Sequence, residues 1–243
     1  MEKPSGYDVH VWTTTLESCP LGLDALIAWL SPDERERADR MLVSSRREVF
    51  VLARGSLRWL VGGYLDRPAG ALRFEYTALG RPGLPPADNP DELQFSVSHS
   101  GRLVLLAFTR RIAVGVDVEQ VRPHVDSDAI AERFYAPIER AALASMDGPE
   151  RRTAFYACWT RKEALLKAVG LGLSGGLARV AVTCQPGAQA RIVASDLDAI
   201  VPTAWSLRDL VAGPGCVAAV AVEAPDLRLL QFSDVPGIVE PRL

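Results

Sequence analysis

Cysteine is scarce in this 243-residue chain: four in all, Cys19, Cys158, Cys184 and Cys216, widely scattered, with no C-x-x-C pair and no nearby histidine. That pattern argues against a zinc site or a disulfide framework and fits a reducing cytoplasm. Long apolar runs are absent too. None approaches the ~18 residues needed to span a bilayer, and the nearest, Val217 to Val222, reads as a buried strand. The first residues, MEKPSGYDVHVW, contain no apolar core of a signal peptide, so none is expected. There is no excess of positive charge: the net charge is −3, which gives no basic field for nucleic acid. A cytoplasmic protein with neither membrane nor nucleic-acid partners is expected. No G-x-S-x-G elbow occurs, and adjacent Ser98 and His99 on a strand point to opposite faces, so a Ser-His-Asp hydrolase is poorly supported.

What is present is ordinary globular composition, 48% hydrophobic and 23% charged. The length suits one large domain or two of roughly 120 residues, with a core that needs no disulfides. Alternation predicts a strand over 7–13, followed by a short helix over 21–30. Ser31-Pro32-Asp33-Glu34 supplies an N-cap, a proline at the first helical position and first-turn acids. A long helix is expected over 45–65, then strands over 72–77, 94–99, 103–109 and 113–119, with a hairpin turn at Ser100-Gly101. The second half repeats the order, with helices over 126–134, 137–145 and 150–169. Strands follow near 180–183, 191–194, 204–207, 216–222 and 227–232, and residues 236–243 form a loose tail. Helices followed by antiparallel strands, twice, suggest two related α+β lobes, 1–120 and 121–243.

Four segments carry chemistry. In Gly115-Val116-Asp117-Val118-Glu119, period two sets Val114, Val116 and Val118 on one face and the acids on the other. Neighbouring carboxylates repel unless a hard cation sits over them or the strand end lies in water. In Trp159 to Lys167, Trp159, Glu163 and Lys167 form one helical stripe; Glu163 and Lys167 also suit a plain surface ion pair. Ser98-His99-Ser100 can approach a phosphate at a tight turn, or satisfy the turn's own backbone. Arg47, Arg54 and Arg58 share one helix face. That arrangement is unfavourable unless an anion or an acidic partner lies against it or the face is simply solvated.

Taken together, Gly80-Arg81-Pro82, Ser98-His99-Ser100, Gly115 to Glu119 and Trp159 to Lys167 resemble, in order, the motifs of the surfactin-type (Sfp-type) 4'-phosphopantetheinyl transferase family. The similarity runs over roughly residues 30–170. It implies a fold of two pseudo-twofold-related α+β lobes with coenzyme A and a metal in the cleft between them. It implies magnesium, with manganese as a substitute, on Asp117, Glu119 and Glu163, and coenzyme A as co-substrate. Arg81, Ser98 and His99 would contact phosphates, helped by Arg47 and Arg54, while Lys162 and Lys167 would neutralise the pyrophosphate. Glu163 would be the general base, with Lys167 the runner-up. The partner would be an apo acyl or peptidyl carrier protein of polyketide or nonribosomal-peptide type, and the enzyme a monomer. Arg81 stands where better-known members have lysine. Glu34 stands where some relatives are basic, which leaves Glu34 outside the expected site and Arg37 unassigned. Rival readings are a coenzyme A-binding module without catalysis and a carrier-interaction subunit.

Overall fold

The computed structural model describes residues 1–172, 176–185 and 187–236; the expected tail beyond Pro236 lies outside them. The fold is α+β. Its first sheet has the order β11-β1-β5-β4, built from β1 (Asp8–Thr15), β4 (Leu93–Ser100), β5 (Leu103–Arg110) and β11 (Arg228–Ser233). Its second has the order β6-β10-β9, from β6 (Val114–Gln120), β9 (Ser206–Leu210) and β10 (Cys216–Val222). Two-stranded ribbons, β2 (Glu75–Tyr76) with β3 (Pro82–Gly83) and β7 (Val180–Val182) with β8 (Ile192–Ser195), flank them. The helices are α1 (Leu23–Trp29), α2 (Pro32–Asp39), α3 (Ser44–Leu65), α4 (Ser127–Phe134), α5 (Pro137–Ala144) and α6 (Gly148–Val169).

Alternation along the strands builds the layers. Val104, Leu106 and Phe108 of β5, with Trp12 and Phe95, pack under α3. The intervening Leu103, Leu105 and Ala107 turn to the other face, where they meet Val114, Val116 and Val118 of β6 and Val220 of β10. The opposite side of β6 and β10 lies under α6, so the order of layers is helix, sheet, sheet, helix. Capping fixes the helix ends. Ser31 N–H donates to Glu34 Oε2 at 3.0 Å at the start of α2, and α6 stops at Gly170, whose φ of +76° is a left-handed conformation glycine adopts without steric cost.

Two expectations shift. The strand expected over 72–77 reduces to Glu75–Tyr76, because Ala69–Ala71 forms a 3₁₀ turn; the strand expected at 204–207 begins at Ser206 for the same reason, after a 3₁₀ turn at Pro202–Ala204. Neither sheet keeps to one side of position 120/121. β6 joins β10 in the second sheet, while β11 returns to pair in parallel with β1 in the first. The chain therefore changes sheets between Arg110 and Val114, then crosses back.

Candidate active site between the sheets

Strand β6 is the edge of its sheet, and its outward N–H groups need partners. Strand β4 supplies them from side chains. Val116, Val118 and Gln120 N–H donate to the hydroxyls of Ser96 (3.1 Å), Ser98 (3.3 Å) and Ser100 (3.0 Å). The same hydroxyls donate onward, Ser98 to Asp117 Oδ1 at 2.8 Å and Ser100 to Glu119 Oε2 at 2.8 Å. The alternating serines thus join the two sheets and aim the two acids.

The other side of the site comes from α6, which crosses β6 at Gly115. A Cβ there would lie 1.9 Å from the carbonyl oxygen of Ala164 and 2.6 Å from Ala168 N. Only glycine permits this approach, and it brings Glu163 and Lys167, on either side of Ala164 along the helix, against the acids. Lys167 Nζ donates to Asp117 Oδ1 (2.6 Å), Ser98 Oγ (3.0 Å) and Val116 O (3.2 Å). Those three bonds use all three ammonium protons. Trp159, Glu163 and Lys167 line one cleft with His99, Asp117 and Glu119, so the expected stripe and strand do meet.

The electrostatics call for a cation. Asp117 is 4% exposed, and among the described residues its Oδ2 and the Oε1 of Glu163 are buried without a hydrogen-bond partner. Burial, then the charge of Asp117, push the Glu163 carboxyl up to about 7, against the pull of Lys167. Glu119 is raised by burial and by Asp117, and His99 is lowered by burial and by Lys167. The three acids are not within 4.8 Å of one another; among the described residues only Glu139, Cys158 and Cys184 form such a cluster. That cluster is already satisfied, since Glu139 accepts from Lys162 and from the N–H groups of Ala136 and Val182. The two unpartnered carboxylate oxygens make the acidic cleft the better fit for a hard divalent ion.

A second cavity of about 460 Å³ opens beside the cleft, sharing His99, Glu163 and Lys167 with it and lined further by Arg37, Phe50 and Arg54. Arg54 is held by a hub that the sequence reading left out of the site. Glu34, 2% exposed, takes Arg58 Nε at 2.6 Å, Tyr76 Oη at 3.0 Å and Arg54 Nε at 3.4 Å. The acidic partner for the arginine face is therefore Glu34; Arg54 lines the cavity, and its buried Nη1 has no hydrogen-bond partner among the described residues.

Of the expected phosphate ligands, Arg81 lines the large cavity and Ser98 the acidic cleft, whereas Lys162 and Arg47 line neither. Lys162 is wholly buried in the second core, paired with Glu139 and 5.1 Å from the Tyr135 ring centre, because one step along α6 from Glu163 turns it away from the cleft. Arg47 pairs with Asp39 at 3.1 Å on the exposed side of α3. Arg81 spends its guanidinium on backbone carbonyls, those of Lys167 and Ala168 at the end of α6, Phe95 (3.1 Å) and Val114 (3.2 Å). It ties that helix end to both sheets. Ser98, which lines the acidic cleft, gives its proton to Asp117. His99 alone of that turn remains open to both cavities. Arg37, stacked 5.2 Å from the Phe50 ring centre, is the cavity cation that the sequence reading left without a role. Its spacing of three from Glu34, on the same face of α2, was the available signal.

Comparison with known proteins follows the same division of the chain. A family model described as "4'-phosphopantetheinyl transferase, N-terminal" matches residues 12–111, and one described as "4'-phosphopantetheinyl transferase superfamily" matches residues 113–221. The 4'-phosphopantetheinyl transferase HetI of Nostoc sp. is 36% identical over 215 residues, 88% of this chain and 87% of its own. The 4'-phosphopantetheinyl transferase Sfp of Bacillus subtilis is 29% identical over 203 residues, 84% of this chain and 86% of its own. The human L-aminoadipate-semialdehyde dehydrogenase-phosphopantetheinyl transferase is 27% identical over 239 residues, covering 90% and 77% of the two chains. Matched across both halves, and by a relative of nearly equal reach, the chain belongs to the 4'-phosphopantetheinyl transferase superfamily.

Proposed function

We propose that this enzyme moves the 4'-phosphopantetheine arm of coenzyme A to a serine of an apo carrier protein, with Mg²⁺ held by Asp117, Glu119 and Glu163. The observation that carries the reading is the pair of buried, unpartnered carboxylate oxygens on Asp117 and Glu163, set beside a cavity furnished with Arg37, Arg54, His99 and Lys167. When bound, the metal would offset negative charge on the pyrophosphate and on the leaving group.

The protein's own groups do the rest. Arg37 and Arg54 offer guanidinium donors to the adenosine-end phosphates, and His99 offers an imidazole N–H at the junction of the two cavities. Lys167 places a positive charge beside the transferring phosphorus and keeps Asp117 oriented. The serine proton goes to Glu163, directly or through one water, since Glu163 lines both the acidic cleft and the large cavity. Lys167 is a poor base here because its ammonium donates to three oxygens. Site residues come from both sheets of one chain, which supports a monomeric enzyme. Among the described residues no helix is long and apolar enough to cross a membrane.

The test is direct. Incubation with coenzyme A, Mg²⁺ and an apo carrier should add about 340 Da, the mass of the arm, to the carrier serine. No mass gain across a panel of carriers, together with Mg²⁺-dependent coenzyme binding, would support a binding module instead.

A further inference from the structure

Away from the large cavity, the acidic cleft continues into a trough. The cleft, about 300 Å³, shares Glu119 and Trp159 with a neck of about 180 Å³ walled by Val125, Ile130 and Phe155. The neck in turn shares Arg122 and Tyr156 with a pocket of about 290 Å³ lined also by Arg151 and Arg152. From the acids outward the trough is therefore acidic, then apolar, then basic.

The basic end is unbalanced. Its one acid, Asp128, is already paired with Arg151, and among the described residues neither Arg122 nor Arg152 enters an ion pair. Gly148, the first residue of α6, lines the same pocket and adds the partial positive charge of a helix N-terminus. Two unpaired guanidinium groups, with Arg151 beside them, give this small pocket a net positive charge that attracts an anion of matching size.

The transfer chemistry says what reaches it. With the nucleotide in the large cavity and the attacked phosphorus at the acids, the arm attached to that phosphorus leaves by the opposite side, along the trough. Its distal end is the thiol, which carries any acyl group. Resting on the transfer reading above, we propose that the trough receives the acyl-pantetheine arm and that Arg122, Arg151 and Arg152 select thioesters whose acyl group ends in a carboxylate. In the step itself, a bond forms between the carrier serine oxygen and the β-phosphorus. The bond from that phosphorus to the bridging oxygen breaks, and adenosine 3',5'-bisphosphate leaves with the electron pair. The serine proton goes to the base, and the thioester is carried across intact.

The experiment compares kcat/KM for coenzyme A, valeryl-coenzyme A and glutaryl-coenzyme A, using the full chain, Mg²⁺ and one apo carrier. The two thioesters have acyl groups of equal length and differ in a terminal carboxylate. Wild type should favour glutaryl over valeryl about tenfold, the effect of one charge-assisted hydrogen bond. Arg152→Gln, Arg122→Gln and the Arg151→Gln/Arg152→Gln pair should bring the ratio toward one. The ratio is internal to each variant, so a general loss of fold or rate does not imitate the result. A wild-type ratio near one, or a ratio that survives in all three variants, overturns the proposal. So does a parallel fall for both thioesters with a raised KM for the carrier, which would make the arginines a carrier-docking surface. Absence of transfer with plain coenzyme A would instead overturn the reading on which the proposal rests.

Discussion

Gly115 and Ala164 touch: the missing side chain of one leaves room for the carbonyl oxygen of the other, with 1.9 Å between that oxygen and where a Cβ would stand. Because the obstruction is backbone rather than a side-chain tip, α6 has to move to admit even a methyl group. Gly115→Ala should cost about 1–3 kcal/mol of stability, the usual range for overpacking. It should also lower transfer by about 100-fold, since a shift of about 1 Å misplaces Glu163 and Lys167. Chemical denaturation and a carrier mass assay check both. A variant as active as wild type would show that the crossing tolerates displacement.

Glu163 makes the metal-free protein sensitive to pH. Its carboxyl is raised from the ordinary 4.5 to about 7, chiefly by burial. A group whose folded value is raised contributes its stability fully below 4.5 and loses it as pH rises through 7. In EDTA at pH 8, Glu163→Gln should therefore melt about 3 °C above wild type, and at pH 5 the difference should shrink toward zero. Mg²⁺ should then raise the wild-type Tm at pH 8 and do little for the variant. Paired melting curves at the two pH values test this, and equal Tm values at pH 8 in EDTA would contradict it.

Glu34 is the counter-charge for two buried arginines. Arg58 is 1% exposed and also donates to the carbonyls of Ala69 and Leu72. Glu34→Gln keeps the shape but strands those cations, a change that costs about 3–5 kcal/mol when a buried pair loses one partner. Urea unfolding should show a loss of unfolding free energy of that size, read from the shift in midpoint multiplied by the slope m. In any fraction that still folds, binding of adenosine 3',5'-bisphosphate should weaken, because Arg54 loses its anchor at the cavity wall.

Lys162 separates a structural lysine from a catalytic one. Buried against Glu139 and Tyr135, it should behave as core. Lys162→Met should destabilise the protein by about 3–5 kcal/mol while leaving the affinity for coenzyme A unchanged in the folded protein. Lys167→Met should do the reverse, with a small stability change and a large loss of transfer. Denaturation and calorimetry on the two variants distinguish the roles. A loss of coenzyme affinity in Lys162→Met would restore it to the site.

How far the sequence alone reached is best seen at β6 and α6. Period two correctly parted Val116 and Val118 from Asp117 and Glu119, and a spacing of four correctly gathered Trp159, Glu163 and Lys167. Both patterns are local and survive folding. What the sequence did not disclose depends on contacts between distant segments. The hydroxyl of Ser98 is as fit for a phosphate as for Asp117, and only the approach of β4 to β6 decides. Arg81 does line the large cavity, but nothing local foretold that its guanidinium would also meet the open carbonyls at the end of α6. Glu34 was set aside because an acid repels anions, but its charge acts through Arg54 and Arg58 rather than on a ligand. The sheet change before Val114 was invisible for the same reason, since a strand's sequence does not name the neighbour with which it pairs.

The parallel pairing of β11 with β1 bears on any attempt to divide the protein. Trp12 stacks on Phe232 at 4.2 Å between ring centres, and six residue pairs from Asp8–Arg228 to Thr13–Ser233 zip the two strands together. A fragment cut between the two matched regions would leave β1 with bare amide and carbonyl groups along one margin, an open invitation to fibrous self-association. Supplying a peptide that contains Arg228–Ser233 should rescue the solubility of such a half, as a missing stave closes a cask.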